Sequence, residues 1–260
     1  MKNIKFLLAS MFMLAIMTSK AQDYKVSKTS GRLELHIGSV VVEGTTGTDI
    51  IFTSRDGHHD KDDRAKGLLA INGSGLQDNT GLGINVTTKG EALVVNQLQK
   101  THSPDIKILV PKGVVISYDY ESQYGGEAKF INLENEIEIS AQYNGIELDN
   151  VTGPVTAKTI YSSIDANFAA NVKGPISLIS IYSTVDVTLP QTLKADLSMK
   201  TSYGEMYVAP EFKIEMDRTT EKDNDNMVNM SSNKVVGKIN GGGMKVDLRS
   251  DYSKIYLRKK

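Results

Sequence analysis

Six tyrosines in the second half of this 260-residue chain stand directly before turn-forming residues: Tyr124-Gly-Gly, Tyr143-Asn-Gly, Tyr161-Ser-Ser, Tyr182-Ser-Thr, Tyr203-Gly-Glu and Tyr252-Ser-Lys. Their spacings are 19, 18, 21, 21 and 49 residues. Four residues after three of them comes an acid: Glu147, Asp165 and Asp186. If equal positions align in space, the rings form a row able to stack on sugars. The carboxylates form a second row able to hold a hard cation such as Ca²⁺ through oxygen ligands. Each row also has a plainer reading. Rings at a corner can lie over one another and seal a core edge, and outward acids keep a sheet face soluble and unpaired. The candidate ligand-binding residues are Tyr143, Tyr161, Tyr182 and Tyr203, with Tyr124 opening the ring row, together with Glu147, Asp165 and Asp186.

A repeat is what would align them. Asn150-Val-Thr-Gly-Pro-Val recurs 21 residues later as Asn171-Val-Lys-Gly-Pro-Ile, and Thr159-Ile-Tyr-Ser-Ser-Ile-Asp recurs as Ser180-Ile-Tyr-Ser-Thr-Val-Asp. Two residues before each Tyr stands a small residue: Ser122, Ala141, Thr159, Ser180, Thr201, Ser250. Three residues after most of them stands an apolar one: Ile146, Ile164, Val185, Met206, Ile255. The first copy has Glu127 at that offset, and Ala128 and Phe130 indicate a one-residue slip or bulge. Apolar residues alternate with polar ones throughout, as at Leu33, Leu35, Ile37 and Val185, Val187, Leu189, and no window after Ala21 shows capped helical spacing. One copy alone has an apolar face with nothing to cover it, whereas stacked copies cover each other at about 4.8 Å per layer. The expected fold is all-β, a parallel β-solenoid (single-stranded β-helix-like) with 18–21 residues per coil. A hairpin sandwich is the alternative, but it would not require like residues at one offset in every copy. In a stack, neighbouring acids repel by about 0.9 kcal/mol per pair in water unless a cation or a lysine neutralises them.

Residues 1–21 read as a secretory leader: Lys2 and Lys5, an apolar run from Phe6 to Met17, and Ser19-Lys20-Ala21 before cleavage. The run is too short to cross a bilayer and no later segment is more apolar, so no membrane span is expected. Of 30 basic and 31 acidic residues, three lysines fall in the leader, leaving a net charge near −4 and no electrostatic reason to bind nucleic acid. The chain has no cysteine, so stability must come from a continuous core. We divide it into the leader, a less regular β region at 22–105, and a regular solenoid at 106–260 with a polar insertion near 215–234 and a second polar excursion at 55–66.

Other chemistry is sparse. His58-His59-Asp60 with Asp62 and Asp63 lacks a second ligand pair at helical spacing, and Asp223-Asn-Asp-Asn lacks the glycine and distal glutamate of a calcium loop. There is no nucleophile elbow, phosphate loop or dinucleotide fingerprint. Glu136 and Glu138 could pair for glycoside hydrolysis, though an outer polar face explains them as well.

Pro111-Lys-Gly, the coils of small-x-(Asn or Tyr)-(Gly or Ser)-x-apolar, the Asn-Val-x-Gly-Pro linkers and Leu189-Pro190 resemble the DUF4097 family of candidate adhesins, similar to the head-domain adhesins called GIN. The resemblance is strongest over Ile106 to Pro210. The usual family corner is Asn-Gly, closest here at Tyr143-Asn-Gly. The resemblance implies an exported solenoid in the periplasm or on the outer surface of a bacterial cell, and it carries over no catalytic residues. The expectation is a non-enzymatic binding or scaffold protein without a cofactor, with a glycan or an envelope protein as partner. The alternative is a carbohydrate-active lyase or hydrolase on the same architecture, which would need a deep groove lined by converging acids.

Overall fold

In a computed structural model the chain is described for residues 23–55, 63–65, 67–217 and 232–260. The expected leader at residues 1–21, His58 to Asp62 and the Asp223–Asn226 run lie outside these residues. Strands form two sheets, of ten and eleven strands, and each coil gives one strand to each sheet. The parallel registry follows the repeat: Val155 pairs with Ile137 on one side and Ile176 on the other, and Ile164 sits between Ile146 and Val185. This is a β-solenoid. Gly145 pairs with Glu127 and Ile146 with Ala128, which is the slip expected of the first copy.

Inward positions alternate along each strand. Val155, Ala157 and Thr159 point into the core from one sheet, and Ile164, Ala166 and Phe168 from the other. Burying such side chains contributes about 1.5–3 kcal/mol for each large one. Tyr118 meets Phe130 edge-on at 5.9 Å, and both are almost fully buried.

Stack order departs from chain order at two places. The last coil, Met244–Asp251 with Ile255–Lys259, lies between the Ile176–Ile181/Val185–Leu189 coil and the Ala195–Ser202/Met206–Val208 coil. At the other end, Gly31–His36 with Ser39–Thr45 lies between Ala92–Gln97/Asp105–Pro111 and Val114–Tyr120/Glu127–Ile131. Because every coil offers the same two interfaces, a later coil can enter between earlier ones. Antiparallel strands finish the stack: Asp49–Ser54 and Asp23–Ser27 on one sheet, Ile84–Lys89 on the other, and Ser232–Ile239 with Ile214–Met216 at the far end.

The polar stretch expected to leave the stack thus contributes strands at both its ends. Just beyond it, Val235, Gly237 and Ile239 pair with Met199, Leu197 and Ala195. Among the described residues no helix is long and apolar enough to cross a membrane.

Candidate functional site

Each repeat turns from one sheet to the other at its tyrosine. Tyr143, Tyr161, Tyr182, Tyr203 and Tyr252 all have positive φ, between 58° and 68°. A bulky side chain in this left-handed region costs roughly 1–2 kcal/mol, and Asn or Gly would be the cheaper choice. The corners are held layer to layer by the backbone. The N–H of Tyr143 donates to the Ile160 carbonyl, that of Tyr161 to Ile181, that of Tyr182 to Asp251 and that of Tyr252 to Ser202, at 2.7–3.0 Å.

Beneath the corners runs a line of buried hydroxyls. Ser180 Oγ donates to the Ser162 carbonyl at 2.9 Å, Ser250 Oγ to Ser183 at 2.8 Å and Thr201 Oγ1 to Ser253 at 3.1 Å. Thr159 Oγ1 reaches Ser162 as well, at 2.6 Å. The hydroxyl residues two before Tyr161, Tyr182, Tyr203 and Tyr252 thus each donate to a turn carbonyl. Ala141 has no hydroxyl. In its coil Asn144 is buried, donating from Nδ2 to the Gly38 carbonyl at 2.6 Å and to the Tyr118 hydroxyl at 2.7 Å. A Cβ on Gly125 would meet Asn144 Oδ1 at 1.8 Å, so only glycine fits there.

The outcome is a ladder of five rings. Tyr143, Tyr161, Tyr182, Tyr252 and Tyr203 follow one another in that order, with centroids 5.0–5.3 Å apart and planes within 7–15°. The sequence order put Tyr203 next to Tyr182; the inserted last coil places Tyr252 between them. Tyr124 has no ring partner among the described residues. Its corner is made by Gly125 and Gly126 and its own φ is not positive, so it is not part of the ladder.

Glu147, Asp165 and Asp186 are brought together as a column, directly paired on adjacent strands. Cations close both ends: Lys129 Nζ lies 2.5 Å from Glu147, and Arg258 holds Asp186 through two bonds of 2.6 and 2.8 Å. Asp165 between them has no ion-pair partner among the described residues. Burial, then the Asp186 and Glu147 charges, push its carboxyl up despite a hydrogen bond from Ser163. Among the described residues no three His, Asp or Glu side chains converge as a metal-holding group. Lys129 and Arg258 supply neutralisation of the kind the sequence reading required.

The column does not stop at Asp186. Tyr256 and Tyr207 continue it, stacked at 5.3 Å, with Arg258 over Tyr256 and Lys254 over Tyr207. Sequence reasoning passed over this pair, although each lies four residues after its corner tyrosine, the same offset as the acids. Glu205 accepts from the Tyr207 hydroxyl at 2.7 Å and lies 3.4 Å from Lys254, and these two partners hold its carboxyl below the usual range. Glu138, on the other sheet, is tied to Arg32 at 2.5 Å.

No family model matches the chain and no curated protein matches it. The DUF4097 resemblance therefore rests on the residues quoted above. Two solved structures align with the chain. One is a candidate cell-adhesion protein from Clostridium sporogenes ATCC 15579, 12% identical with a TM-score of 0.41, covering 93% of this chain and 100% of that chain. The other is a candidate adhesin from Bacteroides fragilis NCTC 9343, 10% identical with a TM-score of 0.31, covering 94% of this chain and 98% of that chain.

Proposed function

We propose that this chain is a non-catalytic adhesive protein of the bacterial envelope, exported by the leader at residues 1–21, which presents its tyrosine ladder to glycans. The observation that carries the reading is the cost of the ladder. Five rings are about half or more exposed and sit in a backbone conformation that favours Asn or Gly. Strain of this kind, repeated at a surface row, points to use of the side chains rather than to the needs of the turn. Rings with a hydroxyl at one end suit pyranoses, which offer an apolar C–H face and polar edges.

The acids that pair with cations favour binding over hydrolysis; Asp165, whose carboxyl is raised, is the exception. Glu138, Glu147, Asp186 and Glu134 are each committed to Arg or Lys partners, Glu134 to both Lys112 and Lys173. A glycosidase needs one carboxyl kept protonated near neutral pH beside another that is ionised. Glu134 and Glu138 are instead shifted downward by their cationic partners. A glycan array probed with residues 22–260 tests the proposal: selective retention on defined glycans supports it, and retention on none overturns it.

A further inference from the structure

The outer face of the eleven-stranded sheet carries a row of cations. Lys158, Ile179, Arg249 and Lys200 are partners in successive parallel strands, and the antiparallel strand Ser232–Ile239 continues the row with Lys234. Each alternates with inward residues of its strand, so the row points away from the core. Arg249, Lys200 and Lys234 occupy three adjacent strands about 4.8 Å apart, and Lys158 lies two strands further along. Neighbouring like charges at this spacing repel by about 0.9 kcal/mol in water. The acidic column on the other sheet faces the same cost, and Lys129 and Arg258 close it at both ends. The basic row is left open. Arg249 pairs with Asp251 of its own strand at 2.6 Å, but Lys158, Lys200 and Lys234 have no ion-pair partner among the described residues.

Two features of the row select its occupant. First, it is one residue wide. Asp247 and Asp251 flank Arg249 on either side in its own strand, and beyond Asp247 lies Asp196, between Lys245 and Lys238. A broad anionic surface, such as a membrane or a nucleic-acid duplex, would press phosphates against these carboxylates, whereas a single extended chain would not. Second, the row runs alongside the tyrosine ladder. Lys158, Lys200 and Arg249 each stand three residues before a ladder ring, Tyr161, Tyr203 and Tyr252, which is about 10 Å along an extended strand. Resting on the glycan reading above, we infer that the polymer this protein holds is an acidic polysaccharide. It lies along the stack with its anionic groups on Lys158, Arg249, Lys200 and Lys234, and the row adds charge to a chain that the ladder holds.

Interferometry of residues 22–260 on immobilised polygalacturonate, chondroitin sulfate and neutral dextran tests this. At least one acidic polymer is held at low ionic strength, more tightly than dextran, and is released in 1 M salt, where the screening length is about 3 Å. Lys158→Gln, Lys200→Gln and Lys234→Gln each weaken retention about fivefold, the loss expected for one water-screened contact of opposite charges, and together about a hundredfold. The triple variant melts no lower than its parent, because the row loses repulsion and no ion pair. A charge-matched control at the other end of the stack, Lys25→Gln with Lys89→Gln and Lys100→Gln, keeps the parental retention. Equal losses in the control and the row, dextran held as tightly as the acidic polymers, or neither acidic polymer held at all would overturn the inference. Preference for phosphatidylglycerol vesicles or duplex DNA over both acidic polymers would overturn the occupant. Neutral glycans retained on the array while neither acidic polymer is held would overturn the row and leave the ladder reading in place.

Discussion

The ring of Tyr182 lies on that of Tyr252 at 5.0 Å, although Tyr203 is the next corner along the chain. The coil that carries Tyr252 is last in sequence and second from the end in space. It bridges two coils that touch each other nowhere else in the sheets, since Ile176–Ile181 and Ala195–Ser202 each pair with Met244–Asp251 and not with one another. Removing residues 243–260 should therefore do more than trim an end. Limited proteolysis of the truncated chain should leave a resistant core ending near Pro190, with 195–242 degraded. A resistant fragment that keeps Ala195–Ser202 would contradict the bridge.

The Ser162 carbonyl accepts from two hydroxyls in different coils, Thr159 and Ser180. Either alone satisfies it. Thr159→Val or Ser180→Ala should each cost about 1 kcal/mol or less, while the double variant should cost about 2–3 kcal/mol, because only then is a buried carbonyl left without a donor. Urea unfolding of the four proteins measures the excess directly. Simple additivity would show that the two donors are independent.

Tyr161 feels two opposed effects: stacking on two neighbours, at about 0.5–1.5 kcal/mol each, and left-handed strain of about 1–2 kcal/mol. Tyr161→Asn relinquishes both and should change stability by no more than about 1 kcal/mol. Tyr161→Ala loses the stacking and keeps the strain, so it should cost about 2 kcal/mol. The order Asn above Ala in urea melts is the expected result.

Asp165 and Glu134 should give opposite pH dependence. The Asp165 carboxyl is raised in the fold, chiefly by burial, so its ionised form destabilises the native state at neutral pH. Asp165→Asn should raise the melting temperature at pH 7 by about 1–2 °C, an advantage that fades as pH falls through the raised native value towards the ordinary aspartate value of 3.8 and is absent below it. The Glu134 carboxyl is lowered to about 2 by hydrogen bonds from Lys112 and Lys173. Glu134→Gln should therefore lower stability above pH 4.5, and the deficit should shrink between pH 4.5 and about 2. Melting curves across this range check both signs.

The repeat makes most of the fold legible in the sequence. The pairing of Val155 with Ile176 and the alignment of Glu147, Asp165 and Asp186 follow from offset alone, because a fixed period and a two-residue alternation leave one parallel registry. Stack order was not legible. Tyr252 shares every local feature of its fellows, and nothing in a repeat says which two equivalent coils a third will enter between. The roles of Ser180 and Ser250 were half visible: their small size marked them, but the carbonyl each satisfies belongs to another coil. Positive φ at a tyrosine is a property of the corner that residue type argues against, so the strain that singles out the ladder had no sequence signal. Tyr207 and Tyr256 sat at a readable offset, hidden because the column changes from acid to aromatic along the stack.

Replacing all five ladder tyrosines, Tyr143, Tyr161, Tyr182, Tyr203 and Tyr252, by Asn separates binding from packing in one protein. Melting and glycan-array retention would be measured side by side on this variant and its parent. The predicted result is a cooperatively folded solenoid, melting within about 5 °C of the parent, that no longer retains any glycan. A variant that still retains the same glycans, or one that fails to fold because the rings were its cement, would contradict a ladder built for recognition.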